Sequence, residues 1–378
     1  NMAGSYEKML EYPEFGAIYL NELGLNYQVG ELFKNPELAK TLKKIAEGGK
    51  DAFYTGELAE EMVSTINKYG GIFTLDDFAN YSVIEYEPVE GTYRGYKIYS
   101  SPLPSSGGTH IIQILNIMEN FDIAELGFNT TTTTNLMLQA FEMAYSDRST
   151  YMGDPNYVDV PTTGLLSKEY AAEQAAQINL EGLLDYEDVD PWTYEHEDTT
   201  HFSVADADGN MVSVTQTVNY YFGSKVAVGG FMLNDEMADF STNPDSPNAI
   251  AGGKTPLSSM SPTIVLKEDG SPFLVLGSPG ATRIITTCVA IISNMIDHDM
   301  ELQEAILAAR FSYYYGRAIY ESRMDEEVVA ELTELGYTMT DLGEYSRTFG
   351  SVNAVYYGDD GVLYGGADPR RDGKAVGE

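Results

Sequence analysis

Residues 199–219, TTHFSVADADGNMVSVTQTVN, carry the strongest structural pattern in this chain. Polar and apolar side chains alternate from His201 to Asp206 and again from Met211 to Thr217, and Ala-Asp-Gly-Asn (207–210) separates the two runs. Such alternation around a turn predicts a β-hairpin. Directly before it, the segment from Glu181 to Asp198 contains eight acidic residues and little periodicity, which predicts a solvated linker.

Thr199, the first residue after this linker, has two polar neighbours in the predicted hairpin. If residues 208 and 209 centre the turn, Thr217 and Asn219 flank the position opposite Thr199, and they share one face because strand side chains alternate. We therefore expect the Thr199 hydroxyl near the Thr217 hydroxyl and the Asn219 amide. From spacing alone, an ordinary threonine-rich strand is the simpler interpretation, since threonine is common in strands.

Two later segments could supply further functional groups. Pro-Leu-Ser-Ser-Met-Ser-Pro (256–262) places the adjacent hydroxyls of Ser258 and Ser259 just before a predicted strand. Gly-Ser-Pro-Gly-Ala (277–281) follows another strand and precedes a helix, and such a turn exposes backbone N–H groups as an oxyanion hole requires. Either segment by itself is also ordinary turn sequence.

Helices and strands alternate along the rest of the chain. Helical periodicity is predicted between residues 31 and 69, with a break at Gly48-Gly49, and from Ile284 to Ile296. Tyr93–Ser100 is predicted to be a strand, and Pro262–Leu266 and Pro272–Leu276 are predicted to pair as strands around Asp269-Gly270. Thr-Leu-Asp-Asp (74–77) resembles a capping box, with Asp in place of Glu, and predicts the start of a short helix. Strand pairs interleaved with helices predict a layered α/β or α+β body, which the linker divides almost in half.

The composition excludes several classes of function. The chain has 378 residues, of which 58 are acidic and 22 basic, for a formal net charge of −36. Such a charge repels phosphate backbones and anionic membrane surfaces, so neither nucleic acid nor a membrane surface is an expected partner. No apolar run is long enough for a membrane span, and four scattered histidines with one cysteine predict no metal site.

Two simpler candidates for a reactive or ligand-binding site are better explained by structure. Cys288 lies in the apolar run Thr-Thr-Cys-Val (286–289), which favours a buried thiol over a nucleophile. Asp206-x-Asp208-Gly209 resembles the start of a calcium loop, but the twelfth position is Thr217 rather than Glu, so a hairpin turn is the better interpretation.

The segments above occur together, in this order, in one enzyme family. Thr-Thr-His-Phe-Ser-Val (199–204), Thr-Gln-Thr-Val-Asn (215–219), Met-Ala-Asp-Phe (237–240), Pro-Leu-Ser-Ser-Met-Ser-Pro and Gly-Ser-Pro-Gly resemble the gamma-glutamyltransferase family. Tyr-Arg-Gly-Tyr (93–96), Pro-Ser-Ser-Gly-Gly (104–108), Asp-Arg-Ser (147–149), Gly-Asp-Pro (153–155) and Ala-Asp-Pro-Arg (367–370) agree with this resemblance, which covers nearly the whole chain.

The resemblance implies an α+β fold, the four-layer αββα sandwich of the N-terminal-nucleophile hydrolases. It implies a precursor that cuts itself at Asp198–Thr199. The products would be segment 1–198, the C-terminal portion of the large subunit, and segment 199–378, the small subunit, which stay associated. After the cut, the new α-amine of Thr199 can act as the base for its own hydroxyl. No metal and no cofactor are implied.

The family's site residues transfer to this sequence by motif. Thr199 is then the nucleophile, and Thr217 orients its amine and hydroxyl. The backbone N–H groups of Gly280 and Ala281 form the oxyanion hole. The residues expected to hold the donor are Asn219, Glu236 and Asp239 at its α-ammonium group, and Ser258 and Ser259 at its α-carboxylate.

The implied activity is transfer of the γ-glutamyl group of glutathione or a related γ-glutamyl amide. The acceptor is water, which gives hydrolysis, or an amino acid or peptide, which gives transpeptidation. The two subunits are each other's expected partners. By resemblance, we expect an extracellular, periplasmic or cell-surface location.

Three features depart from the family's pattern. Ala281 stands where a second glycine is usual, although its backbone N–H is retained. The segment 241–255 is short compared with members that carry a lid loop, which predicts an open cleft. Members of the family also have a portion preceding the region that matches Asn1, with an arginine for the donor's α-carboxylate. We expect that portion to be missing here and no residue of this chain to replace the arginine.

Three alternatives stay open. An open cleft would suit a poly-γ-glutamate depolymerase, and a different pocket would suit a cephalosporin or glutaryl acylase. The set formed by Asn219, Glu236, Asp239, Ser258 and Ser259 favours a free α-amino-acid head and therefore argues against an acylase. The third alternative is a truncated or unprocessed homologue without catalysis.

Overall fold

A computed structural model of the chain describes residues 3–184, 199–314 and 316–377. Most of the predicted linker, including Asp198, lies outside the described residues. The thirteen α-helices of the described residues are α1 Tyr6–Glu11, α2 Pro13–Tyr19, α3 Pro36–Tyr54, α4 Glu57–Lys68, α5 Leu75–Ala79, α6 Gly107–Met118, α7 Ile123–Leu126, α8 Thr131–Tyr151, α9 Thr162–Leu165, α10 Lys168–Ala175, α11 Arg283–Ile296, α12 Leu302–Leu307 and α13 Glu326–Glu334. Short 3₁₀ turns occur at Ala3–Ser5, Glu236–Asp239 and Arg347–Phe349.

The strands of the described residues are β1 Val89–Tyr93, β2 Tyr96–Ser100, β3 Thr199–Ala205, β4 Met211–Thr217, β5 Ala227–Val228, β6 Phe231–Met232, β7 Thr263–Leu266, β8 Pro272–Gly277, β9 Phe311–Tyr314, β10 Arg317–Tyr320, β11 Met339–Asp341, β12 Asn353–Tyr357 and β13 Leu363–Ala367. Contacts divide the chain into two compact units. Unit 1 comprises Asn1–Tyr86 and Thr217–Glu236, and unit 2 comprises Glu87–Gln216 and Met237–Glu378.

Unit 2 is built on a six-stranded sheet with the order β1-β2-β7-β8-β12-β13. All five pairings are antiparallel, and the predicted pair around Asp269-Gly270 is its central β7–β8 hairpin. The predicted strand from Tyr93 to Ser100 begins too early, because Arg94 and Gly95 have positive φ and form the turn between β1 and β2. Residues before that turn therefore form a further strand.

Helices α6, α8 and α11 enclose the main core of unit 2. Every residue of α6 is buried, as is most of α11, so both helices are enclosed by the protein on nearly all sides. Helix α11 agrees closely with the predicted helix from Ile284 to Ile296. Cys288 lies inside this core with no exposed surface, and burial raises the pKa of its thiol to about 12. The prediction of a buried thiol is confirmed.

The β3–β4 hairpin packs on the six-stranded sheet through its inward-facing side chains. The Ser213 hydroxyl donates to Leu276 O of β8 at 2.9 Å, and the Ser203 hydroxyl donates to Asn353 O of β12 at 3.0 Å. The alternate residues Phe202 and Val204 face away and are about half exposed. The alternation found in the sequence therefore determines which face of the hairpin meets the sheet.

The turn of this hairpin is longer than the sequence suggested. Asp206 N–H donates to Asn210 O at 3.1 Å, which leaves a three-residue loop, 207–209, where a two-residue turn was expected. Gly209 has a φ of +87°, and the Asp206 carboxylate accepts from Asp208 N–H and Asn210 N–H. Those bonds stabilise the longer loop and shift the pairing by one residue. They also confirm a hairpin turn rather than a calcium loop.

Unit 1 contains the helices α1 to α5 and the short β5–β6 pair. The predicted break at Gly48-Gly49 is confirmed, because Gly49 has a non-helical φ of +62° and ψ of −152°, so α3 consists of two helical segments joined by a kink. The predicted capping box is present at α5, where Asp77 accepts from the Thr74 N–H at 2.7 Å. A small apolar cluster around Leu58, Met62 and Val228 joins the helices to β5.

Candidate active site

Thr199 is the first residue of β3 and is partly exposed. Its carbonyl oxygen accepts a hydrogen bond from Arg371 Nη1 at 3.2 Å, so a side chain near the C-terminal end of the chain holds the start of this strand. Asp198, the other half of the predicted scissile bond, lies outside the described residues.

His201, two residues further along β3, anchors the same strand. Its Nδ1 pairs with Thr215 Oγ1 at 2.8 Å, and its Nε2 pairs with Ser203 Oγ at 3.0 Å. The ring lies directly on Gly277, where an added Cβ would come within 2.3 Å of it. Burial lowers the pKa of His201 to about 4, so the ring is neutral at pH 7. It therefore links β3 to the end of β8 as a packed, uncharged group.

The turn from Gly277 to Ala281 joins β8 to α11. Gly280 and Ala281 both have positive φ, +137° and +42°, and their carbonyl oxygens accept from Arg283 N–H and Ile284 N–H at 3.0 Å each. Within the part of the chain that the structure describes, the N–H groups of Gly280 and Ala281 have no acceptor. Two such groups could stabilise an oxyanion. Ala281 adopts its positive φ although it has a Cβ. The turn therefore presents the N–H of Ala281 beside that of Gly280.

Gly350 lies at the point where another segment of the chain comes closest to this turn. An added Cβ on Gly350 would lie 2.0 Å from Pro279 O and 2.3 Å from Ser278 Oγ. Ser278 Oγ also accepts from Ser351 N–H at 3.0 Å. The backbone of residues 350–351 therefore supports the turn by direct contact.

A buried ionic cluster holds that segment in place. Asp368 accepts from Arg310 Nη2 at 2.6 Å, from Arg370 Nη1 at 3.1 Å and from Val352 N–H at 2.9 Å. Arg310 also donates to Phe349 O at 2.9 Å. Burial would raise the pKa of Asp368, but the two arginines hold it below its usual value. Asp368 thus holds Val352 directly, and its partner Arg310 holds Phe349. Together they fix residues 349–352.

Ser258 and Ser259 lie in a loop that crosses the start of α6. Ser258 O accepts from the N–H and the hydroxyl of Ser106, both at 2.9 Å. Arg148, in the last turn of α8, donates from Nε to Ser106 Oγ and from Nη2 to Ser259 Oγ, at 3.0 Å each. Met260 N–H donates to Ser258 Oγ at 3.1 Å. Both predicted serines are therefore fixed by their surroundings.

Asn248 connects this serine loop to Asp239. Its Nδ2 donates to Asp239 O at 2.7 Å, and its Oδ1 accepts from Leu257 N–H at 3.0 Å. The side chain is buried, at 6% exposure, so both bonds are shielded from water. Through one amide, the structure brings the predicted ammonium ligand Asp239 and the predicted carboxylate ligand Ser258 into one connected region.

The remaining predicted residues, Thr217, Asn219 and Glu236, belong to unit 1. Thr217 Oγ1 accepts from Asn219 N–H at 2.8 Å, and Asn219 has a φ of +70°. The Asn219 side chain donates to Asp235 O at 3.4 Å, next to Glu236. Within this unit the three predicted residues are therefore neighbours.

Three residues that position the site were not assigned from the sequence: Arg148, Asn248 and Arg371. Arg148 stands in the Asp-Arg-Ser motif (147–149), which was noted without a role. Arg148 and Arg371 act on residues distant in the chain, Ser259 across 111 positions and the backbone of Thr199 across 172, whereas Asn248 binds residues nine positions away on either side. Spacing along the sequence contains no information about such pairs.

No group of His, Cys, Asp and Glu suited to a metal ion occurs among the described residues. Nor does any helix in that part of the chain combine the length and apolarity needed to cross a bilayer.

Comparison with known proteins places this geometry in a family. The family model described as gamma-glutamyltranspeptidase matches residues 1–378. The glutathione hydrolase proenzyme of Escherichia coli (strain K12) is 42% identical over 369 residues, which are 94% of this chain and 63% of that relative. The acylase ACY 1 proenzyme of Pseudomonas sp. (strain SE83) is 39% identical over 93% of this chain and 63% of its own length.

A solved structure has the same fold over nearly the whole chain. The cephalosporin acylase from Bacillus halodurans superposes with a TM-score of 0.87 at 27% identity, covering 98% of this chain and 68% of that one. The chain belongs to the gamma-glutamyltranspeptidase family. The predicted family and its α+β sandwich of the N-terminal-nucleophile hydrolase type are confirmed. The chain spans less than two thirds of the length of the two curated relatives named above.

Proposed function

We propose that this protein is a gamma-glutamyltransferase and hydrolase with Thr199 as its nucleophile. The observation that carries the proposal is the turn at Gly280 and Ala281, whose two N–H groups have no acceptor among the described residues. The glutathione hydrolase proenzymes among its relatives support the same activity. The donor would be glutathione or a related γ-glutamyl amide.

The first step is self-cleavage. The Thr199 hydroxyl attacks the Asp198 carbonyl, and the C–N bond breaks as the ester C–O bond forms, which frees the α-amine of Thr199. Water then hydrolyses the ester, which releases the Asp198 carboxylate and restores the Thr199 hydroxyl. Segments 1–198 and 199–378 then remain associated as large and small subunits. The word proenzyme in the names of its relatives supports such a step.

In turnover, the freed amine takes the proton of the Thr199 hydroxyl as the oxygen attacks the γ-carbonyl of the donor. The N–H groups of Gly280 and Ala281 stabilise the resulting oxyanion, and the leaving amine departs with the proton. The γ-glutamyl ester on Thr199 then reacts with water or with the amine of an amino acid or peptide. Thr217 orients the nucleophile throughout.

The donor's head group is held by carboxylates, an amide and hydroxyls. Asn219, Glu236 and Asp239 take its α-ammonium group, and Ser258 and Ser259 take its α-carboxylate. The short segment 241–255 leaves the cleft open to longer donors. By family resemblance, the protein functions outside the cytoplasm, in the periplasm, at the cell surface or in the medium.

Intact mass under denaturing conditions tests the first step. The parent and Thr200→Ala should each give two fragments that break between residues 198 and 199, whereas Thr199→Ala should give one uncut chain. Thr200→Ala is the matched control, since it removes the adjacent threonine of the same strand. An uncut parent, or a cut Thr199→Ala variant, would contradict the proposed nucleophile.

An acylase is the second candidate, because relatives include the acylase ACY 1 proenzyme and a cephalosporin acylase. The two candidates differ in the donor's α-amino-acid head. Release of p-nitroaniline from γ-glutamyl p-nitroanilide, with none from glutaryl p-nitroanilide, would support the transferase. The reverse preference would support the acylase.

A further inference from the structure

Arg148 is a half-buried cation beside the two serines. It contacts two separate segments, since Nε donates to Ser106 Oγ and Nη2 donates to Ser259 Oγ. Ser106 is fully buried and Ser259 nearly so, so these bonds lie away from bulk water. A guanidinium can only donate hydrogen bonds, and both serine oxygens therefore act as acceptors here.

Among residues 3–184, 199–314 and 316–377, no carboxylate lies within ion-pair distance of Arg148. This is unexpected in a chain with 58 acidic and 22 basic residues. The adjacent Asp147 is engaged elsewhere, by Gln113 Nε2 at 2.5 Å and by Tyr170 at 3.0 Å. A partly desolvated arginine without a counter-ion is costly unless an anion binds beside it.

The hydrogen bonds also determine which way the serine hydroxyls can donate. Ser259 Oγ accepts from Arg148, and Ser258 Oγ accepts from Met260 N–H. Each hydroxyl therefore retains its own hydrogen for a further acceptor, and within the described part of the chain neither hydrogen has one. Two O–H donors and one cation in the same place match the two oxygens of a carboxylate.

We propose that Arg148 is a positioning residue that turns the Ser258–Ser259 pair into a carboxylate site. It holds Ser259 as a hydrogen-bond donor, fixes the serine loop through Ser106, and supplies positive charge for the α-carboxylate of a γ-glutamyl donor. The inference rests on the proposed function, and it adds Arg148 to the residues that the family's motifs assign to the donor.

Calorimetric titration with L-glutamate tests this role, with 4-aminobutanoate as the matched ligand that lacks only the α-carboxylate. Arg148→Gln should weaken L-glutamate binding on the order of 10- to 100-fold, the effect expected for lost charged hydrogen bonds. Binding of 4-aminobutanoate should stay as in the parent. Arg148→Lys keeps the charge but cannot contact both serines, so it should lose less affinity for L-glutamate than Arg148→Gln does. If Arg148→Gln does not fold, Arg148→Lys is used for the test.

Arg317→Gln, at an exposed arginine of β10, is the control for the change in net charge and should bind both ligands as the parent does. In Arg148→Gln, kcat/KM should likewise fall for the γ-glutamyl anilide and stay as in the parent for the 4-aminobutanoyl anilide. Equal losses for both ligands, or unchanged L-glutamate binding, would overturn the role of Arg148 alone. A parent that neither binds L-glutamate nor cleaves γ-glutamyl anilide would overturn the proposed function and this inference together.

Discussion

Acid should destabilise the protein through His201, the buried ring that joins β3 to the sheet. Its pKa falls from an ordinary 6.5 to about 4 because burial disfavours the charged form. The unfolded chain therefore binds a proton at a pH where the folded protein does not. Stability is full above pH 6.5 and is lost as the pH falls towards 4.

The magnitude follows from the gap between the two pKa values. A gap of about 2.5, at about 1.4 kcal/mol per unit, corresponds to roughly 3 kcal/mol of unfolding free energy. The ring is only 3% exposed, so solvent screens little of this effect. His110 is also buried, and its pKa is lowered to about 3, so the measurement must separate the two histidines.

Urea unfolding of the parent and His201→Gln between pH 4 and pH 7.5 provides that separation. The difference between the two free energies should change by roughly 3 kcal/mol across this range, with the parent losing more in acid. His298→Gln, at a less buried histidine, is the matched control and should follow the parent closely. Parallel curves for the parent and His201→Gln would refute a buried, neutral His201.

Three further substitutions test the supports of the site, each by urea unfolding. Asn248→Ala should cost about 2–4 kcal/mol, because it removes the hydrogen bonds to the Asp239 carbonyl and to the buried Leu257 N–H; a loss close to zero would contradict its bridging role. Gly350→Ala should destabilise by at least about 2 kcal/mol more than Gly361→Ala, since both have positive φ but only the first Cβ meets backbone. Equal losses would show that contact with the turn is unimportant. Asp368→Asn should cost about 3–5 kcal/mol by leaving the buried Arg310 without its carboxylate partner, whereas Asp359→Asn, at an exposed ion pair, should match the parent. A stable Asp368→Asn variant would contradict a charged cluster.

Local pattern was enough to predict several elements. The hairpin after the linker, helix α11, the β7–β8 pair, the capping box at α5 and the burial of Cys288 were all predicted correctly. Each depends on residues close together in the chain, whose periodicity or turn chemistry is visible in the sequence. The resemblance to one family depended on ordered motifs in the same way.

Local pattern failed where a backbone angle or a side-chain bond decided the outcome. The turn at Asp206 is one residue longer than expected, because its carboxylate and the positive φ of Gly209 stabilise a three-residue loop. The predicted strand from Tyr93 begins too early because Arg94 adopts a positive φ. Such choices differ by small energies that composition does not reveal.

The sequence by itself therefore determined the family, the order of the elements and the candidate residues, from Thr199 to Ala281. Only the tertiary structure decided what holds those residues in place. Arg148 reaches Ser259 across 111 positions, and Arg371 reaches Thr199 across 172. Hydrogen bonds depend on distance in space, and the packing of helices against the sheet, rather than spacing along the chain, brings these partners together.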